Sequence, residues 1–398
     1  FVASANNEAP YSTWFSWRAN DPGWQQPWGG GQVWHWSGVR DLYYYGVFWG
    51  GMPDLNYTNP AVEAEMFATA TYWLDDMGAD GFRLDAVKYL MEDGEIIDNA
   101  PSTFTFWNRF RGHLDTVAPD AFTVGEAWDA TSIVLEYIDA GLHTCFEFDL
   151  AGQMISSAGS GDGRGVATKM DEITDAYPYL QYATFLTNHD QQRVFSQLGQ
   201  DPGANKVAAA MLLTLPGVPF VFYGEEVGMI SSWTHEDVRR PMHWTGASDG
   251  GFTSGTPWQS PAANVGTNNV ATMRSEDDSL WNHYRRLVQT RAASVALRRG
   301  THQIMATGRD QVLAYLRWHE DQAVAVVHNL HEADVSGWAT QLSSSRLAPG
   351  PHAATDLLTG EEVAAVDVGQ GGAITSWTPV AELAGHRTLV IELVPTSR

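Results

Sequence analysis

Over residues 60 to 230, the spacing of hydrophobic residues changes repeatedly between the period of a helix and that of a strand. Stretches with helical spacing, such as NPAVEAEMFATATYWLDDMG, each lead into a short apolar stretch with the composition of a buried strand. The predicted strands lie at 80–86 and in AFTVGEAW, HTCFEFDL, QYATFLTNHD and PFVFYGEE. The predicted helices lie near 104–117, 131–140 and 163–177, in NKVAAAMLLTLPG, and in the closing stretch DDSLWNHYRRLVQTRAAS. Strands that alternate with helices at this spacing predict βα units and a parallel sheet.

The two flanks of this region have a different pattern. Residues 1–56 are irregular and rich in Trp, Gly and Pro, which indicates a long structured loop region. From about residue 300, short apolar stretches such as QAVAVVHNL and HRTLVIELV are separated by polar turns, which is typical of a small antiparallel β domain. The sequence therefore predicts three parts: 1–56, an α/β region at 57–299, and a C-terminal β-sandwich domain at 300–398.

Composition and charge restrict the partners. The 398 residues carry a formal net charge of −24, and nucleic-acid binding needs clustered basic residues, so no nucleic-acid partner is expected. No apolar run approaches the ~20 residues of a membrane helix, so no membrane partner is expected either. The single cysteine, Cys145, excludes an intrachain disulfide and is expected to be a buried core thiol.

Three predicted strands end in an acidic residue. These residues are Asp85 in GFRLDAV, Glu126 in TVGEAWD and Asp190 in FLTNHD. In a parallel α/β barrel, the catalytic groups lie at the carboxyl ends of the strands, so three such acids are expected to converge on one cleft. Any one of them alone has an ordinary structural explanation, but three at strand ends indicate a site.

Paired carboxylates at strand ends suit glycoside hydrolysis. Retaining glycosidases place a nucleophile and an acid/base ~5 Å apart. Arg83 and Asp85 lie on one face of their strand, so the guanidinium is expected to hold Asp85 ionised, as a nucleophile requires. Glu126 follows an apolar strand and is near Trp128, a setting expected to raise its pKa for proton donation. His189 and Asp190 are expected to bind the ring hydroxyls and the charged transition state.

These segments resemble the sequence signatures of the α-amylase family, glycoside hydrolase family 13. DGFRLDAVKYL, VGEAWD and FLTNHD resemble its second, third and fourth signatures, and GMPDLNY resembles a further one. VPFVFYGEEVGM, RRPMHWT and GFTSGTPW are similar to the family's stretch around the eighth strand. MPDLN is typical of the group between oligo-1,6-glucosidases and neopullulanases.

The resemblance implies a (β/α)8 TIM barrel with an inserted loop domain and a role for each matching residue. Asp85 would be the nucleophile, Glu126 the general acid/base and Asp190 the transition-state stabiliser. The residues expected to bind substrate are Arg83, His189, Lys88 and Trp128. The implied reaction is retaining hydrolysis of α-1,4-glucosidic bonds in starch or maltooligosaccharides, by a secreted and monomeric enzyme.

The sequence also departs from the family pattern. The first signature, an Asp-x-x-x-Asn-His run at the end of the third strand, is absent. We therefore expect strands one to three of the barrel to be missing from this sequence, so that 1–56 is the remainder of the inserted domain and 57–299 holds strands four to eight. An incomplete sequence and a piece of a split protein are the two interpretations.

A structural calcium ion is the one cofactor that the resemblance raises, and none is expected for the chemistry itself. Asn56 stands where some relatives place a calcium ligand, and Tyr89 replaces a histidine that contributes a backbone carbonyl. Calcium takes six to eight oxygen ligands, and the remaining set is incomplete.

Several alternatives stay open at this point. On the same fold, the enzyme could be an exo-acting α-glucosidase or a trehalose-synthase-like transglycosylase. A non-catalytic carbohydrate-binding protein would be expected to lack one of the three acids, and a metal-dependent barrel enzyme would need a His/Asp cluster at its strand ends. The tryptophans of residues 1–56 form either the core of a small irregular domain or, for one or two rings, a platform for sugars.

Overall fold

The computed structural model describes residues 1–396, which form two compact units. The first unit is Phe1–Phe146 and the second begins at Glu147. This division is based on compactness, and the boundaries predicted at 56/57 and 299/300 stay a prediction. No helix within residues 1–396 is both long enough and apolar enough to cross a membrane.

The first unit opens with short elements and continues with helices and strands in alternation. Its elements are α1 Val2–Ala5, β1 Trp17–Arg18, β2 Trp34–Ser37, β3 Leu42–Tyr45, α2 Pro60–Thr71, β4 Gly81–Leu84, α3 Pro101–Val117, β5 Phe122–Gly125, α4 Thr131–Asp139 and β6 Thr144–Phe146. Single 3-10 turns occur at Tyr11–Thr13 and Val87–Tyr89, and α2 ends in a π-helical turn, Tyr72–Asp76.

The aromatic residues near the N-terminus build a small core. β1, β3 and β2 form an antiparallel sheet in that order. The buried cluster behind it contains Trp24, Val33, Trp34, Tyr45, Val47 and Ile97. Trp28, Trp36 and Trp49 remain exposed. The core interpretation therefore holds for Trp24 and Trp34.

The parallel sheet predicted from the alternating pattern is present in the first unit, where β5 pairs in parallel with β4 and with β6. Proline starts both flanking helices, because a missing N–H costs nothing at a first helical position. Asn59 caps α2 by accepting a hydrogen bond from the Ala61 N–H at 3.0 Å. The predicted helix near 104–117 begins earlier, at Pro101, and buries Phe106 and Leu114.

The second unit contains the remaining helices and a large antiparallel sheet. Its elements are α5 Phe148–Ser160, α6 Arg164–Ala176, β7 Tyr182–Thr184, α7 Val194–Gln197, α8 Pro202–Thr214, β8 Val218–Pro219, α9 His235–Val238, α10 Val270–Met273, α11 Leu280–Ala293, α12 Val295–Arg299, β9 Thr301–Met305, β10 Val312–His319, β11 Gln322–Asn329, β12 Val335–Ser336, β13 Thr340–Leu342, β14 Gly350–Asp356, β15 Glu362–Val368, β16 Ile374–Trp377, β17 Glu382–Leu383 and β18 Thr388–Pro395.

Two predicted strands differ from the structure. HTCFEFDL is a strand only as far as Phe146, and α5 begins at Phe148, with Asp149 in its first turn and Gly161 in a left-handed C-cap. PFVFYGEE contributes only Pro219 to β8, which pairs in parallel with β7. Proline has no N–H to donate to a ladder, but the next residue, Phe220, donates its N–H to the Thr184 carbonyl of β7 at 2.7 Å.

The C-terminal antiparallel β domain is confirmed. Six strands pair in the order β15-β14-β18-β11-β10-β9. One face of this sheet packs on β-strand and loop residues of the same domain, including the buried Trp338 and Trp377. Alternating apolar positions such as Ala323, Ala325 and Val327 on β11 point into this core, as the two-residue period of a strand requires.

Candidate active site

The end of β4 carries Arg83 and Asp85, the pair whose spacing predicts a shared face. The Arg83 guanidinium donates a hydrogen bond from Nη1 to Oδ1 of Asp85. The Asp85 side chain is 74% exposed, so it is open to a ligand. Ala86, which follows it, has a left-handed backbone with φ +45°, and this turn ends the strand.

Glu126 directly follows β5 and faces the same guanidinium. Its Oε2 lies 2.8 Å from Nη2 of Arg83 and accepts a hydrogen bond from the Ala86 N–H at 3.2 Å. The side chain is only 14% exposed. One guanidinium therefore binds two carboxylates, one through each terminal nitrogen. Both contacts favour the ionised form of Glu126, and the raised pKa expected from the sequence stays a prediction.

Backbone hydrogen bonds fix Glu126 relative to the end of β4. The Glu126 N–H donates to the Leu84 carbonyl at 2.9 Å, and the Val87 N–H donates to the Glu126 carbonyl at 3.1 Å. These bonds extend the parallel pairing of β4 and β5 beyond the last ladder residues. The positions of the two acids are thus set by adjacent parallel strands, as strand-end catalytic groups require.

Lys88 and Trp128 lie on the loops that follow these two strands. Lys88 is buried, and its Nζ donates to Oδ2 of Asp129 at 2.6 Å and to the Trp128 carbonyl at 3.3 Å. Burial, the largest single effect, lowers the pKa of Lys88, but the hydrogen bond to Asp129 and the nearby charges of Asp129 and Asp98 together outweigh it, so the pKa is raised. The Trp128 ring is 56% exposed, so it can contact a ligand.

In the second unit, Asp190 lies in the loop after β7, and both of its carboxylate oxygens are held. Oδ1 is 2.5 Å from Nη2 of Arg239 and Oδ2 is 3.2 Å from Nε2 of His189. Arg239 also donates from Nε to the His189 carbonyl at 3.0 Å. His235 is 3.9 Å from Oδ1. His189 and Asp190 thus form one hydrogen-bonded group with Arg239, and their predicted role in binding the sugar ring stays a prediction.

Arg239 is the residue that sequence reasoning missed. It belongs to the quoted segment RRPMHWT, to which no side-chain role was assigned. Its neighbour Arg240 is fixed by Asp237, whose Oδ1 is 2.5 Å from Nη2. In the sequence, the only signal is a pair of adjacent arginines in an acidic chain. This signal does not indicate that Asp190 is the partner of Arg239.

Asn56 takes part in a local turn. Its Oδ1 accepts hydrogen bonds from the Thr58 N–H at 3.1 Å and from Thr58 Oγ1 at 2.6 Å, while Nδ2 donates to the Thr13 carbonyl at 3.2 Å. Among residues 1–396, no group of three or more His, Cys, Asp or Glu side chains is placed to hold a metal ion. The side-chain oxygen of Asn56 is thus used by Thr58, and the calcium expectation stays untested.

The comparison with known families and proteins agrees with an active site of the glycoside hydrolase type. The family model described as "Alpha amylase, catalytic domain" matches residues 1–300. Alpha-amylase 3 of Dictyoglomus thermophilum is 33% identical over 341 residues, which cover 84% of this chain and 65% of that protein. A trehalose synthase/amylase of Mycolicibacterium smegmatis is 30% identical over 332 residues, which cover 71% of this chain and 56% of that protein.

Solved structures give the same result for the fold. The alpha-amylase from H. orenii superposes with a TM-score of 0.79 and 32% identity, over 98% of this chain and 76% of that one. The alpha-glucosyl transfer enzyme XgtA superposes with a TM-score of 0.80 and 25% identity, over 99% and 79%. The predicted (β/α)8-type fold class is confirmed by these similarities, whereas the absence of strands one to three stays a prediction.

Proposed function

Since the chain belongs to the α-amylase family of glycoside hydrolases, we propose that it hydrolyses α-1,4-glucosidic bonds in starch or maltooligosaccharides with retention of configuration. The observation that carries this proposal is the guanidinium of Arg83, which binds Asp85 and Glu126 through separate nitrogens. Two carboxylates on one guanidinium lie a few ångströms apart, and retaining glycosidases need a separation of about 5 Å. The chain spans 65% and 56% of the two curated relatives described above.

The two carboxyl groups would divide the chemistry between them. Asp85, exposed and held by Arg83, attacks the anomeric carbon and forms a covalent glycosyl-enzyme. Glu126 gives its proton to the departing glycosidic oxygen and then takes a proton from the water that hydrolyses the intermediate. Asp190, whose carboxylate is oriented by His189 and Arg239, is the group that the family resemblance proposes as the stabiliser of the positive transition state.

Glu126 must be protonated for the first of these steps. In the free protein it contacts Arg83 and the Ala86 N–H, both of which favour its charged form. A glucan chain that enters between Glu126 and solvent would replace water at the carboxyl group and favour the neutral acid. Acid catalysis by Glu126 is therefore expected to depend on substrate binding.

Two activities on the same fold are the second candidates. The observation that favours them is the similarity to a trehalose synthase/amylase and, at 28% identity, to a probable alpha-glucosidase of Rhizobium meliloti. Products distinguish the three activities, because endo attack releases mixed maltooligosaccharides, exo attack releases glucose alone, and isomerisation gives trehalose from maltose.

The test is product analysis after incubation with maltoheptaose. We expect maltose and maltotriose, released first as the α-anomer. Asp85→Asn and Glu126→Gln are expected to lower the rate by at least about 10³-fold, because each removes a reacting group. Asp120→Asn, an exposed acid in the same unit, is the matched control and is expected to leave the rate unchanged. A β-anomer as the first product, or an unchanged rate for Asp85→Asn, would contradict the proposal.

Oligomeric state and location belong to the same proposal. A polymeric glucan cannot enter a cell intact, so we propose that the enzyme acts outside the cell. We propose that it acts as a monomer, because the carboxylate pair and its guanidinium come from a single chain. Size-exclusion chromatography with light scattering tests the second point, and a dimer would contradict it.

A further inference from the structure

Lys88 and Asp129 form an ion pair on the loops that follow Asp85 and Glu126, and both carboxylate oxygens of Asp129 accept hydrogen bonds. Oδ2 accepts from Lys88 Nζ at 2.6 Å and from Asn99 Nδ2 at 3.0 Å. Oδ1 accepts from the Ala130 N–H at 2.9 Å. A carboxylate with this many charge-assisted and neutral donors has a fixed orientation.

A second ring of contacts fixes the partners of this ion pair. Asn99 has a left-handed backbone with φ +50°, and its N–H donates to the Lys88 carbonyl at 2.9 Å. Its Oδ1 accepts from the hydroxyl of Tyr137, a fully buried residue of α4, at 2.8 Å. The network therefore joins the loop after β4, the loop before α3, the loop after β5 and helix α4.

The pair lies close in sequence to both reacting groups. Lys88 is in the 3-10 turn that directly follows Asp85 and Ala86, and Asp129 follows Glu126 on the next loop. Lys88 also donates to the carbonyl of Trp128, the exposed ring next to Glu126. The ion pair is thus a further side-chain link, besides the contacts of Glu126, between the two loops that carry the carboxylates.

This geometry does not suit direct sugar binding by Lys88. Its side chain is 9% exposed, and its nearest acceptors are Asp129, the Trp128 carbonyl and, at 3.9 Å, Asp98. An ammonium group has three N–H donors. Two acceptors of the protein lie within hydrogen-bond distance of Nζ, and the Asp98 carboxylate is the next nearest.

We propose that Lys88 and Asp129 form a positioning pair that holds the Glu126–Trp128 loop at the distance from Asp85 that catalysis requires. The inference rests on the proposed function, and it assigns Lys88 a role other than the glucan contact expected from the sequence. A displacement of about 1 Å at a reacting group can reduce the rate about 100-fold, so such a pair would act on turnover more than on binding.

The experiment compares Lys88→Met, Asp129→Asn and the double variant on maltoheptaose. We expect kcat to fall about 100-fold in each single variant, with KM changed less than about threefold. The double variant is expected to be no worse than either single one, because both remove the same interaction. Lys88→Arg, which keeps the charge, is expected to restore most of kcat. A rise in KM with unchanged kcat would overturn the proposal in favour of a sugar contact, and unchanged kinetics would overturn it outright.

The chain offers a matched control in Lys206, whose Nζ donates to Oδ1 of Asp278 at 2.7 Å and to the Asp278 carbonyl at 2.6 Å. This pair has nearly the same geometry but lies in the second unit with Asp278 exposed. Lys206→Met and Asp278→Asn are expected to leave kcat and KM unchanged. A loss of kcat in these variants as large as that in Lys88→Met would mean that general stability was measured, and would overturn the inference.

A readout without activity separates this inference from the proposed function. In protein labelled with 5-fluorotryptophan, the Trp128 resonance is assigned by its loss in Trp128→Phe. We expect Asp129→Asn to shift or broaden that resonance and Asp278→Asn to leave it in place. If the wild-type protein cleaves no α-glucan, the proposed function fails, while an unmoved Trp128 resonance in Asp129→Asn would overturn the positioning role on its own.

Discussion

Arg83 holds the two carboxylates of the candidate site close together. Its planar guanidinium has two terminal nitrogens that point in different directions, and each binds one acid. The i, i+2 spacing in the sequence predicted the contact with Asp85, because alternate residues of a strand share a face. The contact with Glu126 joins positions 40 or more residues apart and depends on which strands are neighbours, which spacing alone does not give.

Replacement of Arg83 by lysine tests this shared contact. We expect Arg83→Lys to lower kcat/KM on maltoheptaose about 100-fold, because an ammonium group is a point charge that cannot hold two carboxylates in a fixed geometry. Arg109→Lys is the matched control, since Arg109 also binds a carboxylate, Glu63, through two nitrogens but on the surface of α3. Equal losses in the two variants would show that the bridge has no special role.

Lys88 and Arg239 show where reasoning from single residues ends. The resemblance implied a sugar contact for Lys88, but burial beside Asp129 is decided by a loop whose path the sequence does not specify. Arg239 reaches Asp190 from a segment that follows β8, and nothing in its own motif indicates that partner. Both cases involve charged side chains, whose partners depend on tertiary structure more than on periodicity.

Among the elements, those with a clear period and a marked end were predictable. α3 has an apolar face, α2 and α3 both have a proline at the first position, and the long strands β10 and β11 are apolar stretches in which successive residues are buried. Helix α5 was missed because FEFDL is as apolar as a strand and the change of period at Glu147 is short. Composition alone does not separate a short buried strand from the first turn of a buried helix.

Two buried arginines connect elements of the second unit through hydrogen bonds to backbone carbonyls. Arg291 of α11 donates to the carbonyls of Leu213, Leu215 and Gly217 at 3.0, 3.0 and 2.8 Å, at the end of α8. Arg317 of β10 donates to the carbonyls of Leu297 and Gly300 at 3.1 and 2.8 Å, at the end of α12. The last carbonyls of a helix have no partner within the helix, so these guanidinium groups satisfy them.

Arg317→Met is therefore expected to lower the free energy of unfolding by about 2–4 kcal/mol, because several buried carbonyls lose their donor. Methionine keeps the length of the side chain and packs in an apolar setting, so the loss measures the hydrogen bonds. Urea unfolding provides the measurement, and Arg309→Met, at an exposed position of the same domain, is the control. A variant as stable as the wild type would mean that the apolar side chain compensates fully for the lost donors.

For the whole molecule, the fold class could be predicted because pattern and motifs agree. Alternating strands and helices indicate an α/β architecture, and the change of texture near residue 300 indicates a separate β domain. The net charge of −24 argues against a nucleic-acid partner, which stays a prediction, and gives no information on individual acids. The structure distinguishes the individual acids by their burial. Burial raises the pKa of Glu92 to about 8, of Asp54 to about 6 and of Glu225 to about 8.

The raised pKa of Glu225 is expected to make the stability of the fold depend on pH. It is fully buried, and its Oε1 accepts a hydrogen bond from the Tyr284 hydroxyl at 2.6 Å. The folded protein keeps the proton of Glu225 up to about pH 8, whereas an unfolded chain releases it near a pKa of about 4.3. The stabilising contribution of the bound proton is therefore complete below about pH 4.3 and is lost as the pH rises through about 8.

Glu225→Gln removes this titration and keeps an acceptor for Tyr284. We expect the wild type to lose stability relative to this variant as the pH is raised from 5 to 8.5, by on the order of 4 kcal/mol. Urea unfolding at the two pH values gives the difference, with Glu236→Gln, an exposed acid, as the control. If the wild type and Glu225→Gln changed in parallel between the two pH values, the carboxyl group would have to be ionised inside the fold. The hydrogen bond from Tyr284, an uncharged donor, would be insufficient to hold that charge.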